Sequence, residues 1–68
     1  MTVRVTVNGE VRQVPDTTTV ADLLARLDLP DRGIAVEHNR KILRREHLAD
    51  TRLADGDQIE IVQFVGGG

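Results

Sequence analysis

Residues 2–9 read TVRVTVNG and give the clearest structural signal in the chain. Three valines alternate with polar residues, which is the period of a β-strand that buries one face. Asn8-Gly9 follows, and both residue types tolerate the positive φ that a tight two-residue turn requires. The stretch therefore predicts a hairpin whose second strand covers residues 10–14 and ends at Pro15.

A short helix is predicted after this hairpin. Thr19 can cap it, because Asp22 lies three residues later and can act as a capping-box partner. Pro30 is expected to end the helix, since proline lacks the amide hydrogen that a helix interior needs. One helix face carries apolar residues at positions i, i+3, i+4 and i+7, namely Val20, Leu23, Leu24 and Leu27.

Three more strands are predicted beyond the helix. Apolar residues at 34–36 and 42–43 indicate the third and fourth strands, with a turn at Asn39-Arg40 between them. Arg40 is unfavourable in such a turn, because a left-handed conformation at a residue other than glycine costs about 1–2 kcal/mol. Residues 58–64 form the last strand.

The last strand separates two kinds of side chain. Ile59 and Ile61 are expected to face the helix, which places Val62 and Phe64 on the opposite side of the sheet. Phe64 is the only aromatic residue of the protein, and with Val62 it would form a small exposed apolar patch. The alternative is that Phe64 folds back over the sheet edge as part of the core.

The element order is therefore strand, strand, helix, strand, strand, strand, with one helical turn over residues 45–50. Two hairpins that flank a crossover helix predict an α+β protein, in which a mixed five-stranded sheet packs on one helix. This is the ubiquitin-like β-grasp arrangement. We expect a single domain over residues 1–65 and a flexible glycine tail over residues 66–68.

Composition limits the kinds of function. The chain has 68 residues, a net charge of −2, and neither cysteine nor serine. Disulfides, thiolate metal sites, cysteine nucleophiles and serine triads are thereby excluded. A near-neutral charge argues against nucleic-acid binding, and no apolar run is long enough to span a membrane. We expect a cytoplasmic carrier or binding module with no bound metal, and not an enzyme.

Two sets of polar residues invite a functional interpretation. His38 and His47 lie nine residues apart without a cysteine nearby, and we expect both to be solvated surface residues. A basic cluster lies on the second hairpin. It is either an ordinary solvated surface or a patch that binds an acidic partner or a phosphate. It consists of Arg40, Lys41, Arg44 and Arg45.

The C-terminal glycines are the strongest functional feature. Gly66, Gly67 and Gly68 have no side chains to pack, so they do not stabilise a fold. Fully extended, residues 65–68 would span about 13–14 Å. So thin a tail can carry a terminal carboxylate through a narrow channel into the active site of another protein.

The whole chain resembles the ThiS family, the ubiquitin-like sulfur carriers of thiamine biosynthesis. The resemblance rests on VNGE at residues 7–10, TVADLL at 19–24, LADGD at 53–57 and, above all, IEIVQFVGGG at 59–68. Asn39-Arg40 departs from the family pattern, in which Asn-Gly is common at this turn. Three terminal glycines stand where two suffice.

The resemblance implies a carrier that reacts at its C-terminus. An E1-like adenylating enzyme would use ATP and magnesium to adenylate the carboxylate of Gly68. Sulfur from a donor such as a cysteine desulfurase would convert it to a thiocarboxylate, which thiazole synthase would consume. Gly66 and Gly67 would enter the partner's active site, and Val62 and Phe64 would dock. The chain itself would bind no cofactor, nucleic acid or membrane, and would be a monomer when free.

Other functions share this fold and remain open. The small subunit of molybdopterin synthase, or another sulfur carrier, would use the same thiocarboxylate chemistry for a different acceptor. A ubiquitin-like modifier would be joined to lysines through the activated Gly68. A non-reactive adaptor would bind through its sheet and tolerate the loss of Gly68, whereas a carrier would not.

Overall fold

A computed structural model of the protein describes residues 1–64. Its elements follow the predicted order: β1 (Thr2–Val7), β2 (Glu10–Pro15), α1 (Val20–Arg26), β3 (Ile34–His38), β4 (Lys41–Leu43), a 3-10 turn (Arg45–His47) and β5 (Gln58–Gln63). The glycine tail predicted over residues 66–68 lies outside the described residues, and so does the boundary predicted at residue 65.

The strands form one five-stranded sheet in the order β2-β1-β5-β3-β4. Both hairpins are antiparallel, β5 pairs antiparallel with β3, and β1 and β5 lie parallel to each other in the centre. Parallel strands cannot be joined by a tight turn, and α1 lies in the long connection between them. The predicted α+β architecture with a mixed sheet and one helix is confirmed.

A single apolar core lies between the sheet and α1. The strands contribute alternate residues, as the period of two predicted. Leu48 and Leu53 come from the connection between β4 and β5, where no periodic pattern reveals them as core residues. The buried set is Val5, Val7, Val14, Val20, Leu23, Leu24, Val36, Leu48, Leu53, Ile59 and Ile61.

Helix α1 begins where the capping residues predicted. The Thr19 hydroxyl accepts a hydrogen bond from the Asp22 amide, and the Asp22 carboxylate accepts one from the Thr19 amide, both at 3.1 Å. The capping box is therefore complete. The Val20 amide, which no helical carbonyl can reach, donates to the Thr51 carbonyl at 2.9 Å, so the connection after β4 is fastened to the helix start.

The helix ends earlier than predicted, and the assignment of its end to Pro30 is wrong. Its last residue is Arg26, and Asp28 turns into the left-handed region with φ of 57°. The amides of Asp28 and Leu29 then bond back to carbonyls of the last helical turn and close it. At seven residues α1 is far too short to cross a bilayer, and residues 1–64 contain no other helix that could.

The turn between β3 and β4 is strained at Arg40, as predicted. Asn39 and Arg40 have φ of 53° and 71°, both in the left-handed region. Asparagine tolerates this region, but in arginine the Cβ atom lies too close to the backbone there. We expect Arg40→Gly to raise the free energy of unfolding by about 1 kcal/mol in urea titrations. Arg45→Gly, in the 3-10 turn, is the control and should lower it. A less stable Arg40→Gly would contradict the strain.

Candidate functional site

The sheet face opposite α1 carries exposed apolar side chains near the end of β5. Val62 is 57% exposed, Phe64 65% and Ile42 68%. Ala35 lies directly across from Val62 in the β3–β5 pairing and diagonally from Ile42. We call Ala35, Ile42, Val62 and Phe64 the outer patch. The predicted exposure of Val62 and Phe64 is confirmed, and the alternative of a buried Phe64 is wrong.

Two glutamates lie beside the outer patch on the same face. Glu37 and Glu60 are direct cross-strand partners in the β3–β5 pairing, which brings their Cβ atoms to about 4.5–5.5 Å. Neither forms an ion pair with any other residue in the range 1–64. Because facing like charges are unfavourable in a sheet, a partner that brings positive charge to this face would relieve their repulsion.

Asn8 holds the central strand through its side chain. Its Oδ1 accepts a hydrogen bond from the Ile61 amide at 2.7 Å, and its Nδ2 donates to the Ile61 carbonyl at 3.1 Å. The carboxamide thus acts like one more peptide group and extends the β1–β5 pairing beyond the end of β1 at Val7. The sequence predicts only a turn role for Asn8, because the partner of its side chain lies 53 residues away along the chain.

A hydrogen-bonded network fastens the second hairpin to the start of β5. Asp57 is only 8% exposed, and its carboxylate meets His38 Nε2 at 2.8 Å, Asn39 Nδ2 at 3.0 Å and the Ala54 amide at 2.8 Å. Asn39 Oδ1 also accepts from the Gln58 amide at 2.8 Å. The expectation of a solvated His38 is therefore wrong, whereas His47 is exposed as predicted.

Burial acts to raise the pKa of Asp57, but the hydrogen bonds from His38, Asn39 and the Ala54 amide outweigh it, and the pKa lies below its usual range. Such a carboxylate contributes stability above its unfolded pKa, about 3.9, and loses it as pH falls through the folded value. We expect wild type to be clearly more stable than Asp57→Asn at pH 7, with a difference that shrinks in acid. Urea unfolding across pH measures this, and a constant difference would contradict it.

The basic cluster is divided between the two ends of β4. Arg40 and Lys41 lie at the turn, Arg44 and Arg45 follow the other end, and all four are exposed. Arg44 meets Glu46 at 3.6 Å in an exposed ion pair, which contributes little in water. Within residues 1–64, no three His, Asp or Glu side chains converge on a point where a metal could bind.

Strand β5 leads directly to the predicted reactive end. The Phe64 amide donates to the Gly33 carbonyl at 2.8 Å, which ties the strand to the sheet up to the last described residue. Gly66, Gly67 and Gly68 lie outside the described residues. The predicted docking residues Val62 and Phe64 thus lie at the end of the described part of the chain, and in the sequence they precede the glycine tail.

Comparison with known proteins points to one family. The model of the ThiS family matches residues 5–68. The sulfur carrier protein ThiS of Bacillus subtilis (strain 168) is 45% identical over 62 residues, which cover 90% of this chain and 94% of that protein. A thiazole synthase of Paramagnetospirillum magneticum is 40% identical over 65 residues, which are 96% of this chain but only 20% of that enzyme.

A solved structure extends the likeness to the fold. The crystal structure of the thiamine biosynthesis protein ThiS from Geobacter metallireducens superimposes with a TM-score of 0.80, at 35% identity, over 97% of this chain and 100% of the other. The protein is thus a ubiquitin-like β-grasp protein of the carrier class, and not a catalyst. The chain belongs to the ThiS family.

Proposed function

We propose that this chain carries sulfur for thiamine biosynthesis on the carboxylate of Gly68. The family match carries the proposal, because it runs through residues 5–68 and includes the three terminal glycines. The fold supports it, since β5, the central strand, is part of a rigid sheet up to Gln63, five residues before Gly68. As a carrier, the chain would supply the reacting carboxylate and a docking face, and its partners would supply the catalytic groups.

The carboxylate must be activated before it can accept sulfur. An oxygen of Gly68 attacks the α-phosphorus of ATP on an E1-like adenylating enzyme with magnesium, forming an acyl-adenylate and releasing pyrophosphate. The terminal sulfur of a persulfide, from a donor such as a cysteine desulfurase, then attacks the acyl carbon and expels AMP. Reduction of the acyl disulfide by a thiol frees the thiocarboxylate, whose sulfur is nucleophilic near neutral pH. This chain would bind none of the cofactors itself.

Thiazole synthase is the proposed acceptor of the sulfur. Support comes from the Paramagnetospirillum thiazole synthase, which contains within its own polypeptide a region 40% identical to this chain. Joining a carrier to its acceptor keeps the two at high effective concentration, so such a fusion is favourable when one must deliver to the other. After transfer, the carrier would return to the carboxylate form.

The outer patch is the proposed docking surface for these partners. We expect Phe64→Ala to weaken binding to thiazole synthase about tenfold or more, because a large aromatic side chain is lost from the contact. The free energy of unfolding should change by less than about 0.5 kcal/mol, since the side chain is already exposed. Calorimetric titration and urea unfolding measure the two quantities.

Val11→Ala is the matched control for this substitution. Val11 is 63% exposed and faces the same side of the sheet, but it lies on β2 at the far edge. It should bind thiazole synthase like wild type. Equal binding by Phe64→Ala, or an equal loss in Val11→Ala, would remove the outer patch from the account.

Mass spectrometry tests the proposed chemistry directly. The chain is incubated with ATP, the adenylating enzyme, a cysteine desulfurase and cysteine, and the C-terminal peptide is then fragmented. We expect one oxygen-to-sulfur exchange located on Gly68. Fragmentation is needed because oxidation of Met1 adds nearly the same mass. A carboxylate that stays unchanged under conditions in which a known carrier reacts would refute the proposal.

A further inference from the structure

The main-chain groups of β5 alternate between two neighbours. The Gln58 carbonyl and the Phe64 amide bond towards the β3 side, to the Asn39 amide and the Gly33 carbonyl, both at 2.8 Å. The Ile59 carbonyl bonds in the other direction, to the Asn8 amide at 2.9 Å. Even-numbered residues of β5 therefore face β3, and odd-numbered residues face β1.

This alternation directs both main-chain groups of Gln63 towards the β1 side. The pairing on that side stops short of it, because β1 ends at Val7 and the Asn8 carboxamide reaches only Ile61. Within residues 1–64, no hydrogen bond on that side reaches the Gln63 amide or carbonyl. The central strand of the sheet thus becomes an edge strand over its last residues.

The surroundings of this edge leave room for another chain. Gln63 is exposed, and its neighbours Val62 and Phe64 present apolar side chains on the outer face.

We propose that an extended segment of thiazole synthase adds to the sheet at this edge and pairs with the main chain of Gln63. The inference rests on the proposed function and adds the mode of binding to it. An unpaired donor and acceptor on one residue of a strand match the ladder of a further strand. Val62 and Phe64, the members of the outer patch on β5 and just after it, supply the side-chain contacts, and the added strand holds the chain extended where the tail begins.

Amide hydrogen exchange tests the pairing without any substitution. In the free chain, the Gln63 amide should exchange close to the rate of an unstructured peptide, whereas the Phe64 amide is protected by its bond to Gly33. With saturating thiazole synthase, exchange at Gln63 should slow about tenfold or more, read on the chain after quenching and release. Unchanged exchange at Gln63 in the complex would overturn the inference.

Gln63→Pro is the corresponding variant, because it removes an amide hydrogen that the sheet does not use. We expect at least about tenfold weaker binding to thiazole synthase, while Gln63→Ala binds like wild type. An ester in place of the Gln63 amide should weaken binding without constraining φ. If wild type binds thiazole synthase, and Gln63→Pro and the ester bind it as tightly as wild type does, the inference alone fails. If wild type does not bind thiazole synthase, the proposed acceptor fails and the inference with it.

Discussion

Removal of Gly67 and Gly68 together is expected to abolish thiocarboxylate formation and leave the fold unchanged. The variant would end in Val65-Gly66, two residues short of Gly68, which is about 7 Å of extended chain. Its carboxylate could not reach the site where adenylation occurs, and Val65 would have to enter the channel instead. Intact-mass analysis after incubation with the adenylating enzyme measures the modification, and urea unfolding should give the wild-type free energy.

Removal of Gly68 alone tests whether the length of the tail matters when the chain still ends in two glycines. This variant still ends in Gly-Gly but is one residue shorter, which is about 3.3–3.6 Å of extended chain. Displacements of about 1 Å at a reacting centre can cost a hundredfold in rate, so we expect at least that loss. Full thiocarboxylate formation in the double deletion would show that the reactive carboxylate is not that of Gly68, and the carrier account would be wrong.

Asp57→Ala is expected to have the largest effect on stability, lowering the free energy of unfolding by about 2–4 kcal/mol. Three donors lose their acceptor at once: His38 Nε2, Asn39 Nδ2 and the Ala54 amide. The site is nearly buried, so water replaces these bonds poorly. In a domain whose total stability is about 5–15 kcal/mol, this is a large fraction.

Asp50→Ala is the matched control for that substitution. Asp50 is exposed, and its carboxylate makes no hydrogen bond or ion pair with residues 1–64. Its removal should change the free energy of unfolding by no more than about 0.5 kcal/mol. Equal stability of the two variants in urea titrations would mean that the network around Asp57 does not fasten the second hairpin to β5.

The elements that depend on neighbouring residues are predictable from the sequence. The alternation in residues 2–9, the Asn8-Gly9 turn and the Thr19 cap each have their partner within a few positions. The end of the helix is less predictable, because a left-handed Asp28 acts before Pro30 and such a conformation at aspartate has no unique local pattern. The core role of Leu53 depends on a connection without periodicity.

The residues of the candidate site are likewise only partly predictable from the sequence. The glycine end and the exposure of Val62 follow from composition and strand period, whereas for Phe64 the sequence leaves an exposed and a buried position open until the structure shows it exposed. The roles of Asn8 and His38 do not, because their partners Ile61 and Asp57 lie 53 and 19 residues away. A turn residue and a surface histidine are the expected interpretations until the sheet brings β5 beside them.

Transfer of isotopic sulfur in a single turnover tests the sulfur-carrier account most directly. The chain is converted to the thiocarboxylate with ³⁴S-labelled cysteine, purified, and mixed with thiazole synthase and its other substrates. We predict that the label leaves Gly68 and appears in the thiazole product in equal amount, and that the chain returns to the carboxylate. Label that remains on Gly68 while thiazole forms from another sulfur source would contradict the account.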